Sequence, residues 1–247
     1  MCGRYAAAKD TATLVEEFEV DAVLDQAPGP SYNVAPTDQV AFVVDRPVEE
    51  APIQRQLRTA RWGLVPSWAK DASGRARMIN ARWEQAHLKP AFRRAFATRR
   101  CLVPADGYYE WYRTTAPAGS GQPAKQPFFL HRADGRSLGL AGLYEFWRAA
   151  PDAPWLVTVA VLTGDADGAL RALHDRMPVV IDPHAYDSWL DPRTQVGPGF
   201  AGLLDPALIV ARPVSTAVNS VRNNGPHLLD PLPVADAPIT LPWDQSA

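Results

Sequence analysis

Twenty-four of the 247 residues are proline. Each fixes one backbone dihedral and removes a hydrogen-bond donor, so long helices and a helical bundle are disfavoured, and loops with many broken strands are expected. The apolar residues agree. They fall in short runs that read as strands at Gln39 to Val44, Leu57 to Leu64, Arg77 to Ala81 and Cys101 to Pro104. Further strands are expected at Tyr108 to Tyr112, after a turn at Asp106-Gly107, and at Phe128 to His131, Leu138 to Tyr144, Trp155 to Leu162, Met177 to Ile181 and Ala207 to Val210. Ser31 to Thr37 is a turn-rich approach to the first of these.

Helical spacing is confined to short segments. Thr11 to Val20 follows an N-cap signal at Asp10 and turns Leu14, Val15 and Phe18 to one side. Trp83 to Thr98 carries Leu88, Phe92 and Phe96 at helical spacing and is interrupted at Lys89-Pro90. Leu170 to Leu173 and Pro183 to Leu190 complete the set. Residues 114–126, rich in Ala, Pro, Gly and Ser, read as a surface loop rather than a boundary. No period of ~20–50 residues recurs. The expectation is therefore an α+β fold, one domain over residues 1–247, with short helices around a curved or barrel-like mixed sheet.

Composition removes several classes. Two cysteines without a C-x-x-C pair argue against a disulfide framework or a structural zinc, and no metal or cofactor is expected. No apolar run approaches the ~20 residues of a membrane span, nor does the N-terminus carry a signal-peptide core, so a cytoplasmic protein is expected. The net charge of −2 hides an asymmetry. Between Arg55 and Arg100 twelve Lys and Arg face only Asp71 and Glu84, which makes that segment +10 and the remainder −12. Such a block suits a polyanion, or else a solvated face paired with acids elsewhere on the surface.

The chain begins Met1-Cys2-Gly3-Arg4. If Met1 is removed, Cys2 carries a free α-amine beside its thiol, and a 1,2-aminothiol condenses with an aldehyde to a thiazolidine. An α-amine with pKa near ~7.8 has a neutral fraction roughly a few hundred-fold above that of a lysine near ~10.4, and a thiol near ~8.5 adds a few per cent of thiolate. Gly3 permits close approach of a ligand to the backbone, and Arg4 is a phosphate fork. Without a partner site, Cys2 is simply a second residue with no role.

Three polar clusters interrupt apolar strand sequence: Met78 to Glu84, Pro104 to Trp111 and His174 to Pro178. Singly, His174 reads as a capping or surface residue, Glu110 as a partner for some arginine, and Asn80 as a satisfied core amide. With the N-terminus, however, they resemble the SRAP (SOS-response-associated peptidase) family, which acts on abasic sites in DNA. The resemblance runs through Met1 to Tyr5, Tyr32 to Pro36, Arg61 to Trp68, Ile79 to Trp111, Ala141 to Phe146, Thr163 to Ala166, His174 to Ile181 and Pro213 to Asn219. Trp83-Glu84-Gln85 departs from it, where relatives more often carry small residues around the glutamate.

The resemblance implies a covalent crosslink between Cys2 and the aldehyde of an abasic site in single-stranded DNA. It makes His174 the proton donor for ring opening, Glu110 the acid–base for imine formation, and Asn80 the residue that orients the sugar. It places Arg4, Arg82 and Arg176 on phosphates, Trp68 and Trp111 on unpaired bases, and Gly3, Asn33 and Pro36 along the DNA path. A monomer that associates with the nucleoid when bound to DNA, with replication proteins as possible partners and Met1 removed autoproteolytically, completes the expectation. Two other readings stay open: an N-terminal-nucleophile amidohydrolase of the glutamine amidotransferase kind, which also begins Met-Cys-Gly, and a non-covalent single-strand binding module. General proteolysis of other proteins ranks below both.

Overall fold

Val40, Phe42 and Val44 alternate with Ala41 and Val43, and the two sets bury on opposite sides of one strand. The same division holds for Cys101, Val103 and Ala105 against Leu102, and for Val159 and Val161 against Ala160 and Leu162. A strand apolar on both faces must be covered on both. In the computed structural model, which describes residues 2–48, 51–72, 78–117, 123–197 and 199–232, the inner cover is a barrel core and the outer cover is a set of short helices.

Among the described residues the first strands are β1 (Tyr5–Ala7), β2 (Ala22–Val23), β3 (Ser31–Val34), β4 (Gln39–Val48), β5 (Ala51–Trp62) and β6 (Asn80–Arg82). Then come β7 (Arg100–Ala105), β8 (Gly107–Pro117), β9 (Pro123–Arg132), β10 (Leu138–Trp147) and β11 (Leu156–Asp165). Last are β12 (Arg176–Pro178), β13 (Val180–Ile181) and β14 (Ile209–Pro213). The α-helices are α1 (Thr11–Glu17), α2 (Trp83–Ala86), α3 (Arg93–Thr98) and α4 (Tyr186–Leu190).

The larger sheet runs β12-β11-β10-β7-β4-β5-β2, with β13 added to β10 and β6 to β11. It closes on itself where β5 returns to β11 in parallel, through Arg61 with Thr158 and Trp62 with Val159. The barrel-like expectation is met by that pairing. Gly142 marks a tight point of the wall, because a Cβ there would stand 2.8 Å from Cys101 Sγ. The smaller sheet, β14-β9-β8-β1-β3, is antiparallel throughout and shares the barrel core through Tyr5, Tyr108, Phe128 and Leu130. Tyr5 meets Trp62 edge-on at 5.2 Å, and the Trp62 indole donates to the Ile79 carbonyl at 3.0 Å. Burial of each such aromatic contributes ~1.5–3 kcal/mol.

Outside the barrel, Leu14 and Phe18, then Trp83 and Phe96, then Tyr186 and Trp189 form the second core. Among the described residues no helix is long and apolar enough to cross a membrane.

Several boundaries differ from expectation. The first helix is capped by Asp10, which accepts from the Thr13 amide at 2.8 Å, but it ends at Glu17 because Glu19 turns left-handed at φ 54°. Trp83 to Thr98 is two helices separated around Pro90. The strand expected from Arg77 runs Asn80–Arg82, and Arg77 lies outside the described residues. The loop expected at 114–126 is shorter than expected. Strands β8 and β9 extend into it, pairing Arg113 with Lys125 and Pro117 with Pro123, and its tip lies outside the described residues. Ser31 begins a short strand before the turn, and the late strand starts at Ile209 after a 3-10 turn.

Candidate functional site

The N-terminus is drawn inward by pairing. Tyr5 on β1 lies opposite Tyr108 on β8, and the Tyr109 amide donates to the Arg4 carbonyl at 2.9 Å. Cys2 therefore enters the barrel core and is fully buried. Glu110 lies two residues past Tyr108, so the pleat turns both side chains to the same face, and both are buried. From the other sheet, β6 lies parallel to β11 with Asn80 opposite Val161. The Asn80 amide donates to the Cys2 carbonyl at 2.7 Å. His174 follows a 3-10 turn at Gly168–Ala172 and leads into β12, which holds Arg176 opposite Asp165.

Electrostatics link Cys2, Glu110 and His174, with Tyr108 beside them. Burial pushes the Cys2 thiol well above its usual range, and the neighbouring Glu110 carboxylate pushes it further. Burial also raises the Glu110 carboxyl, while the His174 side chain pulls it back down. The Tyr108 phenol is raised by burial and by both Cys2 and Glu110. His174 Nδ1 accepts from the Arg176 amide at 2.9 Å, which leaves Nε2 to carry the proton in the neutral ring. Asp175 Oδ1 stands 3.3 Å from the same Nδ1 and would favour the opposite tautomer. The backbone donor is closer and Asp175 is open to water, so the backbone bond governs.

Beyond this centre the expected DNA contacts separate into two kinds. Trp68 is two-thirds exposed and lines a groove with Asn80, Arg82, Gln85, Lys89 and Phe92. Arg82 is exposed on its wall. Arg176 is different. Its guanidinium forks onto Glu84 at 2.8 and 3.0 Å, bonds Asp165, and donates to the Thr163 carbonyl. With four of its five N–H donors engaged, Arg176 holds β11, β12 and α2 together rather than offering a free phosphate fork.

Asn33 likewise is buried, and its amide is spent. It accepts from Arg4 at 2.7 Å and donates to the carbonyls of Val218, Ser220 and Asn223. Arg4 also donates to the Val218 carbonyl at 3.0 Å and sits 6.0 Å from the Trp111 ring. The Trp111 indole donates to Asn219 at 2.6 Å. Pro36 occupies the second position of a turn from Ala35 to Asp38, with Thr37 at φ 80°, a geometry that suits a type II turn. Gly3, half-buried, links Cys2 to Arg4.

Two features escaped the sequence reading. Lys89 joins Arg82 on the groove wall. The Tyr108 hydroxyl and Asn80 Oδ1 are buried without a hydrogen-bond partner among the described residues. The period-2 spacing of Tyr108 and Glu110 was the available signal for the tyrosine. Among the described residues no group of three His, Cys, Asp or Glu side chains is placed to hold a metal.

Residues 1–221 match the SOS response associated peptidase (SRAP) family. The chain belongs to the SRAP family. It is 33% identical over 93% of its length to abasic site processing protein YoqW of Bacillus subtilis, covering 99% of that protein. Identity to abasic site processing protein YedK of Escherichia coli is 31% over 94% of this chain and all of the relative. Abasic site processing protein HMCES of Gallus gallus is 32% identical over 82% of this chain and 66% of its own. Among solved structures, a Bordetella bronchiseptica protein superposes with a TM-score of 0.64 at 30% identity, over 87% of this chain and all of that one. A Bacteroides thetaiotaomicron protein, at 20% identity, has the same fold with a TM-score of 0.73 over 94% of this chain and all of that one.

Proposed function

We propose that this SRAP protein captures abasic sites in single-stranded DNA by closing a thiazolidine on Cys2 after loss of Met1. The observation that carries this reading is the 2.7 Å bond from Asn80 to the Cys2 carbonyl, made by a residue that also lines the groove of Trp68 and Arg82. It ties the chain terminus to the wall along which a strand would lie. The names of the relatives, all abasic site processing proteins, support the substrate.

The steps follow from the side chains. His174 Nε2–H donates to the sugar ring oxygen as the hemiacetal opens to its aldehyde, and the proton released by the anomeric hydroxyl returns to Nε2, so the ring ends neutral. The Cys2 α-amine attacks the aldehyde carbon, and Glu110 takes a proton from nitrogen and returns one to the departing hydroxyl. Water leaves and an imine remains. The thiol then adds to the imine carbon and its proton goes to nitrogen, so the whole sequence loses one water. A raised Cys2 pKa suits this order, because a protonated sulfur leaves the first attack to the amine and brings the last proton with it. The Asn80 amide fixes the terminus during both attacks. The protein acts as a monomer on DNA in the cytoplasm, with removal of Met1 by the same site and replication proteins as its neighbours.

The test is mass spectrometry after incubation with an oligonucleotide carrying one abasic site. The expected species is the Met-free protein plus the oligonucleotide less one water, unchanged by borohydride, since an imine would gain two hydrogens. Cys2→Ala is expected to abolish the adduct that survives denaturing electrophoresis while leaving salt-sensitive binding in place. An undiminished adduct from Cys2→Ala sinks the assignment.

A further inference from the structure

The basic block between Arg55 and Arg100 is only partly used by the groove beside Asn80, which takes Arg82 and Lys89. A second hollow lies on the other side of the Pro66 to Ala69 loop. Ser67 lines it, next to the Trp68 that lines the first, and the loop between them is pinned by the Trp147 indole, which donates to the Ala69 carbonyl at 2.8 Å. Residues 89–99 wall both hollows, with Lys89 and Phe92 in the first and Arg94 and Arg99 in the second.

Its chemistry is cationic and aromatic. Arg94, Arg99 and Arg148 line it against one acid, Glu145, which is buried and already bonded to Arg99. Arg148 lies 4.4 Å from the centroid of Trp155, which is 57% exposed. Trp155 meets Phe146 edge-on at 6.2 Å, and Arg99 covers Phe146 at 5.7 Å. Alternating guanidinium and aromatic planes beside uncompensated charge suit unpaired nucleotides, whose bases stack on π-faces while their phosphates meet arginine. A folded protein partner is served less well, because three arginines crowd one hollow with a single acid to balance them.

We propose that this hollow is a second nucleic-acid subsite, taking the single-stranded flank on one side of the abasic nucleotide with phosphates on Arg94 and Arg148 and a base against Trp155. The inference rests on the abasic-site reading above, since it continues the path of the strand that runs past Trp68. Because a strand has polarity, only one flank, 5′ or 3′, can leave by Ser67.

Three oligonucleotides carrying a tetrahydrofuran abasic analogue, which cannot open to an aldehyde, separate binding from crosslinking. One is short, one is extended on the 5′ side and one on the 3′ side. By fluorescence anisotropy Trp155→Ala is expected to weaken one extended oligonucleotide by about tenfold and leave the short one unchanged. Arg94→Ala with Arg148→Ala is expected to lower the salt slope for the same oligonucleotide by about 1.4, at ~0.7 per phosphate on a single strand. Matched thermal melts establish that these exposed substitutions leave the fold intact. Equal losses on all three oligonucleotides, no loss on any, or a loss seen only when the flank is duplex overturns the subsite. Adduct formation by the wild-type protein on a short natural abasic oligonucleotide is measured beside it. Its absence counts against the abasic-site reading, whereas its presence with an indifferent flank counts against the subsite alone.

Discussion

The two walls of the site carry similar residues in opposite states. On the wall of β6 and α2, Arg82 and Trp68 are exposed on an open groove. On the wall of β1, β3 and the 216–219 turn, Arg4, Asn33 and Trp111 are bonded to each other and to the Val218 to Asn223 segment. Arg176 belongs with the second group because Glu84 and Asp165 claim it. An arginine count measures potential attraction for phosphate, but the partners each guanidinium already has decide how much remains. The closed wall builds the cradle for Cys2, and the open wall is the one that, on the proposed function, receives the strand.

Substitutions sharpen that division. Asn33→Ala removes four hydrogen bonds that tie Arg4 to the Val218 to Asn223 segment and leaves the Asn223 carbonyl without its donor, so it is expected to cost about 2–3 kcal/mol in denaturant unfolding. If stability were unchanged and DNA affinity collapsed, Asn33 would instead be a direct contact. Arg176→Ala should cost about 1–2 kcal/mol by freeing Glu84 and Asp165, with little change in the salt slope of DNA binding. A large drop in that slope would return Arg176 to the phosphate-binding group.

Glu110→Gln tests the buried centre by pH. Burial raises the Glu110 pKa, so the folded state holds its proton more tightly than the unfolded chain does. That contribution is intact below the ordinary value of 4.5 and is lost as pH rises through the folded value. Relative to wild type, the glutamine variant is therefore expected to gain stability as pH climbs from 4.5 upward, read from paired melts. A difference that ran the other way, or none, would mean that the carboxylate is held by its neighbours rather than penalised by burial. Arg82→Ala has the smallest expected effect on folding, within ~0.5 kcal/mol, yet should lower the salt slope by ~0.7. Loss of stability without a change in slope would move Arg82 to the closed wall.

Much of the architecture was legible because alternation and proline act locally. Strand β7 and its neighbours were legible as short apolar runs between turn residues, and Pro90 divided the helix where expected. The far ends of β8 and β9 were not legible, because Thr114 to Pro117 and Pro123 to Lys125 have loop composition and are held by pairing between the two strands. In the site, Asn80, Glu110 and His174 stood out within polar clusters that interrupt apolar strand sequence, and Cys2 by its place directly after Met1. The structural ties of Asn33 and Arg176 were not legible, since their partners at Val218, Ser220, Asn223 and Glu84 are announced by no spacing.

The return of β5 to β11 has a consequence for how the protein folds. The wall around Cys2 is complete only when Leu156–Asp165 has paired with β5, a contact between Arg61 and Thr158, which lie 97 residues apart in the sequence. Closure of the ring is therefore a long-range and slow step of folding, and a chain that stops short of β11 leaves Cys2 without its enclosing wall.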